Sequence, residues 1–177
     1  MSTMDSAKRQ EMIDRAYSLG YAYEQKYGCC SQCVLAAIDD VFGLGIDQVF
    51  KASHSLAGGG AITTRGTCGA LNGGMMAISA RYGRDRQHFD KGLYMEAFVP
   101  AKKLFDRFVA EFGSPICGDV QTKLFGRSYD FWKPEEFAAF EAAGGHRDKC
   151  PSVVGRTARW TAEILLEEEA QRRAAKR

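Results

Sequence analysis

The sequence predicts an all-α protein, a single-domain bundle of about five to seven helices with cysteines at helix N-termini. Three observations carry this. Apolar residues recur at spacings of three and four along most of the chain. No segment shows the strict alternation of a half-buried strand. Glycine and proline fall where those periodic segments should start or stop. The 177 residues suit one compact domain, 1–177, with a core over about 10–165 and a basic C-terminal tail over 170–177.

The first helix is expected from about Asp5 to Tyr27, with Met12, Ala16, Leu19 and Tyr23 on one face and Gly28 as its stop. The second spans about Ser31 to Phe42, carries Val34, Leu35 and Ile38, and ends in Gly43-Leu44-Gly45. Asp47 can cap a third, short helix through Val49, Phe50 and Leu56. Gly58-Gly59-Gly60 and the following 61–66 are too rich in glycine for a regular element, so backbone must turn tightly or approach something closely there. A fourth helix, Cys68 to Tyr82, is built of small residues and methionines: Ala70, Gly73, Gly74, Met75, Met76, Ala77. Such a helix packs close to a neighbour.

The fifth covers about Asp90 to Phe112, with Phe98, Leu104, Phe105, Phe108 and Val109 as core candidates and a kink at Pro100. A short helix or turn follows over Asp119–Phe125, then an aromatic loop of Tyr129, Phe131 and Trp132 that reads as a satellite core. Another short helix fits Pro134–Ala143. Gly144-Gly145 breaks it, and the last helix runs from Pro151 past Glu169. Its charged stretch around Glu167–Arg173 reads as a solvated face, and its basic end as a fraying tail.

Composition narrows the function classes. A net charge of +2 gives no strong field, so neither nucleic acid nor an anionic membrane is expected as partner. The polar start lacks a secretory h-region and no run reaches the ~18 apolar residues of a membrane span, so a cytoplasmic protein is expected. Thiols stay reduced there, which turns the six cysteines toward metal or redox chemistry and away from structural disulfides.

The placement of those cysteines is the informative feature. Cys30 precedes the second helix and Cys68 opens the fourth. Cys117 stands before Gly118-Asp119 at a short helix, and Cys150 precedes Pro151, the favoured first residue of a helix. A helix N-terminus carries about half a positive charge and unpaired N–H groups, so a thiolate there should be stabilised and its pKa lowered. Converging ends would suit a thiolate-ligated iron–sulfur cluster or a pair of reactive dithiols.

The segment Cys68-Gly69-Ala70-Leu71-Asn72-Gly73 reads CGAxxG. With Cys30 upstream and single cysteines at 117 and 150 downstream, it resembles the C_GCAxxG_C_C family of redox-active proteins. Cys29-Cys30-Ser31-Gln32-Cys33-Val34 looks like the family's NCAQAV stretch, and the triplet at 58–60 fits its glycine pattern. The resemblance covers about residues 10 to 165. It implies an electron-transfer or thiol-redox role with a redox partner protein or a small-molecule donor or acceptor. The family is also similar to the non-haem part of split-Soret cytochrome c, which implies iron–sulfur ligation by the equivalent cysteines and a homodimer. The chain departs from the pattern at Cys29 and Cys33, where the family usually has Asn and Ala.

Three function readings follow. In the first, Cys30, Cys68, Cys117 and Cys150 hold a [2Fe–2S] or [4Fe–4S] cluster, with Cys29, Cys33 and His146 as extra candidate ligands. Gly58, Gly59, Gly60, Arg65 and Gly69 would line that cofactor, Arg65 by neutralising its charge. The second is a metal-free thiol–disulfide or peroxide oxidoreductase using the Cys30-Ser31-Gln32-Cys33 dithiol as its catalytic pair. The third, a structural zinc module, fits less well because only one C-x-x-C pair exists. Covalent c-type haem is excluded, since Val34 stands where C-x-x-C-H needs histidine. Met75 and Met76 read as core before they read as haem ligands. Of the remaining histidines, His54 reads first as a core or capping residue that could also line the pocket, and His88 looks exposed.

Overall fold

The computed structural model describes residues 5–176, and Met1–Met4 of the expected polar start and Arg177 of the expected tail lie outside it. Eight α-helices form among the described residues: α1 (Ser6–Tyr27), α2 (Cys30–Phe42), α3 (Asp47–Ala52), α4 (Gly69–Tyr82), α5 (Met95–Phe112), α6 (Cys117–Phe125), α7 (Pro134–Ala142) and α8 (Cys150–Ala175). No strand occurs among the described residues beyond one isolated bridge, Thr67 to Ile116. The class is all-α, as the periodicity predicts. The helix count exceeds the expected range because the stretch after Cys117 closes into a full helix rather than a turn.

Helix α8 is the axis of the bundle. Its longest partner is α1, and α2, α4 and α5 pack around it. The α1–α8 contact depends on small residues. A β-carbon on Gly20 would lie 3.0 Å from Ala158 Cβ, and one on Gly155 would lie 3.1 Å from the Tyr17 ring and carbonyl. Close approach at Gly20 rotates the buried stripe of α1 onto Ile13, Ala16, Gly20 and Glu24, one residue away from the expected Met12, Leu19 and Tyr23.

The core is filled by Leu35 and Ile38 of α2, Leu71 and Ile78 of α4, Leu104 and Phe108 of α5, and Ile164 and Leu165 of α8, all essentially buried. Each such side chain contributes about 1.5–3 kcal/mol on leaving water. Phe98 and Phe105, expected in this core, are exposed at 54% and 37%: α5 starts at Met95, not Asp90, and Ala97, Pro100 and Leu104 face inward instead. The helix runs unbroken through Pro100. Met75 and Met76 pack against the core as expected.

The C-terminal charges are not a free tail. Lys103 Nζ reaches the largely buried Glu168 at 2.7 Å, Arg107 bonds Glu163 at 2.7 Å, and Arg172 bonds Glu96 at 2.8 Å while stacking over Tyr82. These pairs lace α5 to α8, so the polar face of α8 is packed where solvation was expected. A second aromatic cluster forms around the fully buried Phe140, with the ring centroid of Phe131 at 4.7 Å and that of Tyr129 at 5.8 Å. Trp132, expected there, is 69% exposed and donates its indole N–H to Ala61 O. No helix among the described residues is long and apolar enough to cross a membrane.

Candidate functional site

The four spaced cysteines stand where helices begin. Cys30 is the first residue of α2, Cys117 of α6 and Cys150 of α8, and Cys68 is the N-cap of α4. Gly28 and Cys29 both take positive φ, 62° and 63°, which turns the chain from α1 into α2 with no longer linker. Cys68 and Cys117 are brought together by main chain. The Cys68 N–H donates to Pro115 O at 2.7 Å, Cys117 N–H to Gly66 O at 2.9 Å and Gly118 N–H to Thr64 O at 2.8 Å.

The motif glycines have a geometric reason. A β-carbon on Gly69 would lie 2.5 Å from Cys30 Sγ and 2.9 Å from Ala57 Cα, and one on Gly73 would run into the Ser31 carbonyl. Bare backbone at both positions lets α4 lie on the first turn of α2, which brings the Cys68 sulfur near enough to Cys30 to raise that thiol's pKa. Gly59 closes the other side. At φ +77°, it stands where any β-carbon would be 2.9 Å from Cys117 Cβ.

Together these elements enclose a cavity of about 290 Å³. Cys29, Cys30, Cys68, Cys117 and Cys150 line it, with Glu24, His54, Gln121 and His146 between them and Phe131, Phe137 and Phe140 as an aromatic wall. Cys33 is not among the lining residues; its thiol donates to Gly28 O at 2.7 Å. All six cysteines are free thiols.

The sequence pattern of the family described as "Putative redox-active protein (C_GCAxxG_C_C)" matches residues 28–164. The chain belongs to this family. No curated protein and no solved structure matches it. The matched span of this C_GCAxxG_C_C protein holds every cysteine that lines the cavity, but it leaves out α1 and with it Glu24.

Electrostatics in this C_GCAxxG_C_C chain reverse one expectation. Cys30, Cys117 and Cys150 are not acidified by their helix ends. Donation of the Cys30 S–H to the Cys68 sulfur, together with burial, holds Cys30 well above the ordinary thiol range; burial and the nearby Glu24 do the same to Cys150. Burial pushes Cys117 up to about 12, and it raises Cys29 and Cys33 as well. Cys30 and Cys117 each act on Cys150 through space, so the sulfurs share one environment. As single thiols, Cys30, Cys117 and Cys150 are protonated at neutral pH and poor nucleophiles.

Among the described residues, no three His, Cys, Asp or Glu side chains are gathered into a ready site for a metal ion. A single zinc ion at ~2.3 Å from each sulfur would draw its thiolates to within about 4 Å of one another.

Some expected participants lie elsewhere. Arg65 is exposed and lines a separate polar cleft with Thr63, Lys133 and Glu136. Gly60 has nothing within 4 Å of where its β-carbon would be, whereas Gly58 lines the cavity, where its backbone N–H favours the Cys30 thiolate. His146 does line the cavity. Its Nδ1 pairs with Glu141 and its Nε2 stands 3.8 Å from Glu24 Oε1. His54 lies on the rim with Nδ1 3.7 Å from Cys29 Sγ.

Two participants have no place in the cysteine pattern. Gln121 donates to Cys117 Sγ at 3.7 Å and accepts from the Tyr129 N–H. Glu24 is 2% exposed, and burial lifts its carboxyl to about 7 against the opposing pull of His146. A signal for Glu24 existed: it falls eight residues after Ala16 on the buried stripe of α1, where a charge is out of place.

Proposed function

We propose that the chain is an electron-transfer protein whose Cys30, Cys68, Cys117 and Cys150 hold an iron–sulfur cluster. One observation carries the reading: four cysteines far apart in sequence each open a different helix and line the same cavity. The donor set fits such a cluster in kind and number, because thiolate sulfur is its usual ligand. Unpaired N–H groups at helix starts suit the negative charge of a thiolate-bound centre. A cluster spreads its thiolates over several irons, so it does not need the tight gathering that a single ion demands. When bound, the cluster supplies reversible electron storage. The protein holds it, excludes water with the Phe131, Phe137 and Phe140 wall, and keeps Cys29 and His146 as further donors at the edge. Loading must displace the thiol protons, so it should be favoured by higher pH. The partner would be a redox protein or a small-molecule donor or acceptor.

A second reading is favoured by the Cys30–Cys68 contact. Transfer of two electrons to a disulfide or peroxide substrate would join these sulfurs in a disulfide, their two protons passing to the reduced product, and make the chain a thiol–disulfide or peroxide oxidoreductase. This pair replaces Cys30 with Cys33, whose thiol is engaged by Gly28 O. Anaerobic purification with iron, acid-labile sulfide and visible absorption separates the two readings. A brown protein with matching iron and sulfide, bleached by dithionite, supports the cluster. A colourless, iron-free protein that forms a Cys30–Cys68 disulfide on mild oxidation overturns it.

A further inference from the structure

We propose that the cavity beside the thiols also binds a small organic molecule with a ring-sized apolar body and a hydrogen-bond-donating, cationic head. The inference deepens the redox reading and rests on it for treating this cavity as the working site. Size comes first. At about 290 Å³ the space is roughly twice the ~150 Å³ that admits benzene into an apolar cavity. The walls agree, since Phe131, Phe137 and Phe140 face Val153 and Leu124 across it.

Glu24 supplies the specificity. Its Oε2 is buried and has no hydrogen-bond partner, while Oε1 stands 3.8 Å from His146 Nε2. A buried carboxyl oxygen without a donor is unfavourable, and a ligand N–H or O–H aimed at it removes the deficit. Charge selects among donors. Among the described residues no lysine or arginine lines the cavity, and Glu141 stands behind His146 with a second carboxyl group. Aromatic faces attract cations as well. A primary ammonium group meets all three features; a carboxylate or phosphate would face Glu24 with only His146, itself already beside Glu24 and Glu141, to compensate.

The test uses the reduced full-length chain at pH 8, before and after iron reconstitution, with benzylamine, benzyl alcohol, toluene and benzoate titrated by calorimetry. Benzylamine should bind best, benzyl alcohol and toluene more weakly, and benzoate least. Glu24→Gln, nearly isosteric, should weaken benzylamine by about tenfold or more and leave toluene unchanged. Benzoate binding as well as benzylamine to the unaltered protein would overturn the proposal, as would no binding of any probe or an unchanged benzylamine affinity in Glu24→Gln. Iron and sulfide are measured on the same samples. Probe binding by a protein that takes up no iron or sulfide on reconstitution leaves this inference standing and removes the cluster; a protein that loads iron yet is indifferent to every probe does the reverse.

Discussion

Replacing Gly69 by alanine strikes the contact that sets α4 on the start of α2. The new β-carbon would meet Cys30 Sγ at 2.5 Å, Ala57 Cα at 2.9 Å and Leu56 O at 3.1 Å. Favourable contacts between such atoms lie near 3.5–4.0 Å, so the sulfur must retreat by about 1 Å and the 56–57 backbone by somewhat less. The thiol can rotate away, but the backbone cannot. Overpacking of this kind costs about 1–3 kcal/mol, and alanine recovers up to about 1 kcal/mol of helix propensity in α4. The net loss should be about 1–2 kcal/mol, or a fall in Tm of roughly 2–8 °C for a chain of this size. Thermal unfolding of the reduced, metal-free protein measures it, and iron per chain after reconstitution measures the site. Gly73→Ala is the comparator, since it overpacks the same helix pair against Ser31 and touches no sulfur. Gly69→Ala should lose iron out of proportion to its stability, while Gly73→Ala should lose stability with less effect on iron. A Gly69→Ala protein with unchanged Tm and full iron would refute this account of the motif.

Two further outcomes are expected. Cys68→Ser and Cys150→Ser should each abolish iron binding, whereas Cys29→Ser, at the edge of the cavity, should retain most of it; full iron in Cys68→Ser would remove that residue from the ligand set. Glu24 should make stability depend on pH: its folded pKa of about 7 exceeds the unfolded value of 4.5, so the folded state keeps a proton that the unfolded state loses. That contribution is fully present below pH 4.5 and falls as pH rises toward 7, by roughly 3 kcal/mol at most. Urea unfolding of the reduced protein at pH 4.5, 6 and 8 should show the decline, and Glu24→Gln should flatten it.

The sequence carries the helix starts because local chemistry makes them. Pro151 and the glycines at 28, 43 and 113 act within one turn, and the cysteines inherit their positions from those boundaries. What pairs with what is not local. The rotation of α1 onto Gly20 follows from Ala158 and Gly155, more than a hundred residues away. Arg65 and Gly60 sit in the same loop as Gly58 and Gly59, yet the positive φ values at Ala61, Ile62 and Thr64 turn that loop so that only the latter two reach the cysteines. Likewise, the aromatic residues after Cys117 are legible as a satellite core, but that they wall the thiol cavity depends on how α7 folds back.

Burial explains the one reversal of chemical consequence. A helix N-terminus stabilises an anion by ~0.3–1 kcal/mol, and by about 2 in favourable partly buried cases. At Cys117 the rise from 9.0 to about 12 corresponds to about 4 kcal/mol against the thiolate, so desolvation outweighs the helix end that the sequence points to. A dithiol enzyme needs the opposite balance, with at least one thiolate populated near neutral pH. A metal centre does not, because bound iron supplies the positive charge that a helix end cannot and draws the proton off directly. The burial that leaves Cys30, Cys117 and Cys150 unreactive as free thiols thus weighs toward a site kept for a cationic, sulfur-seeking group. It also keeps those cysteines protonated and reduced until that group arrives.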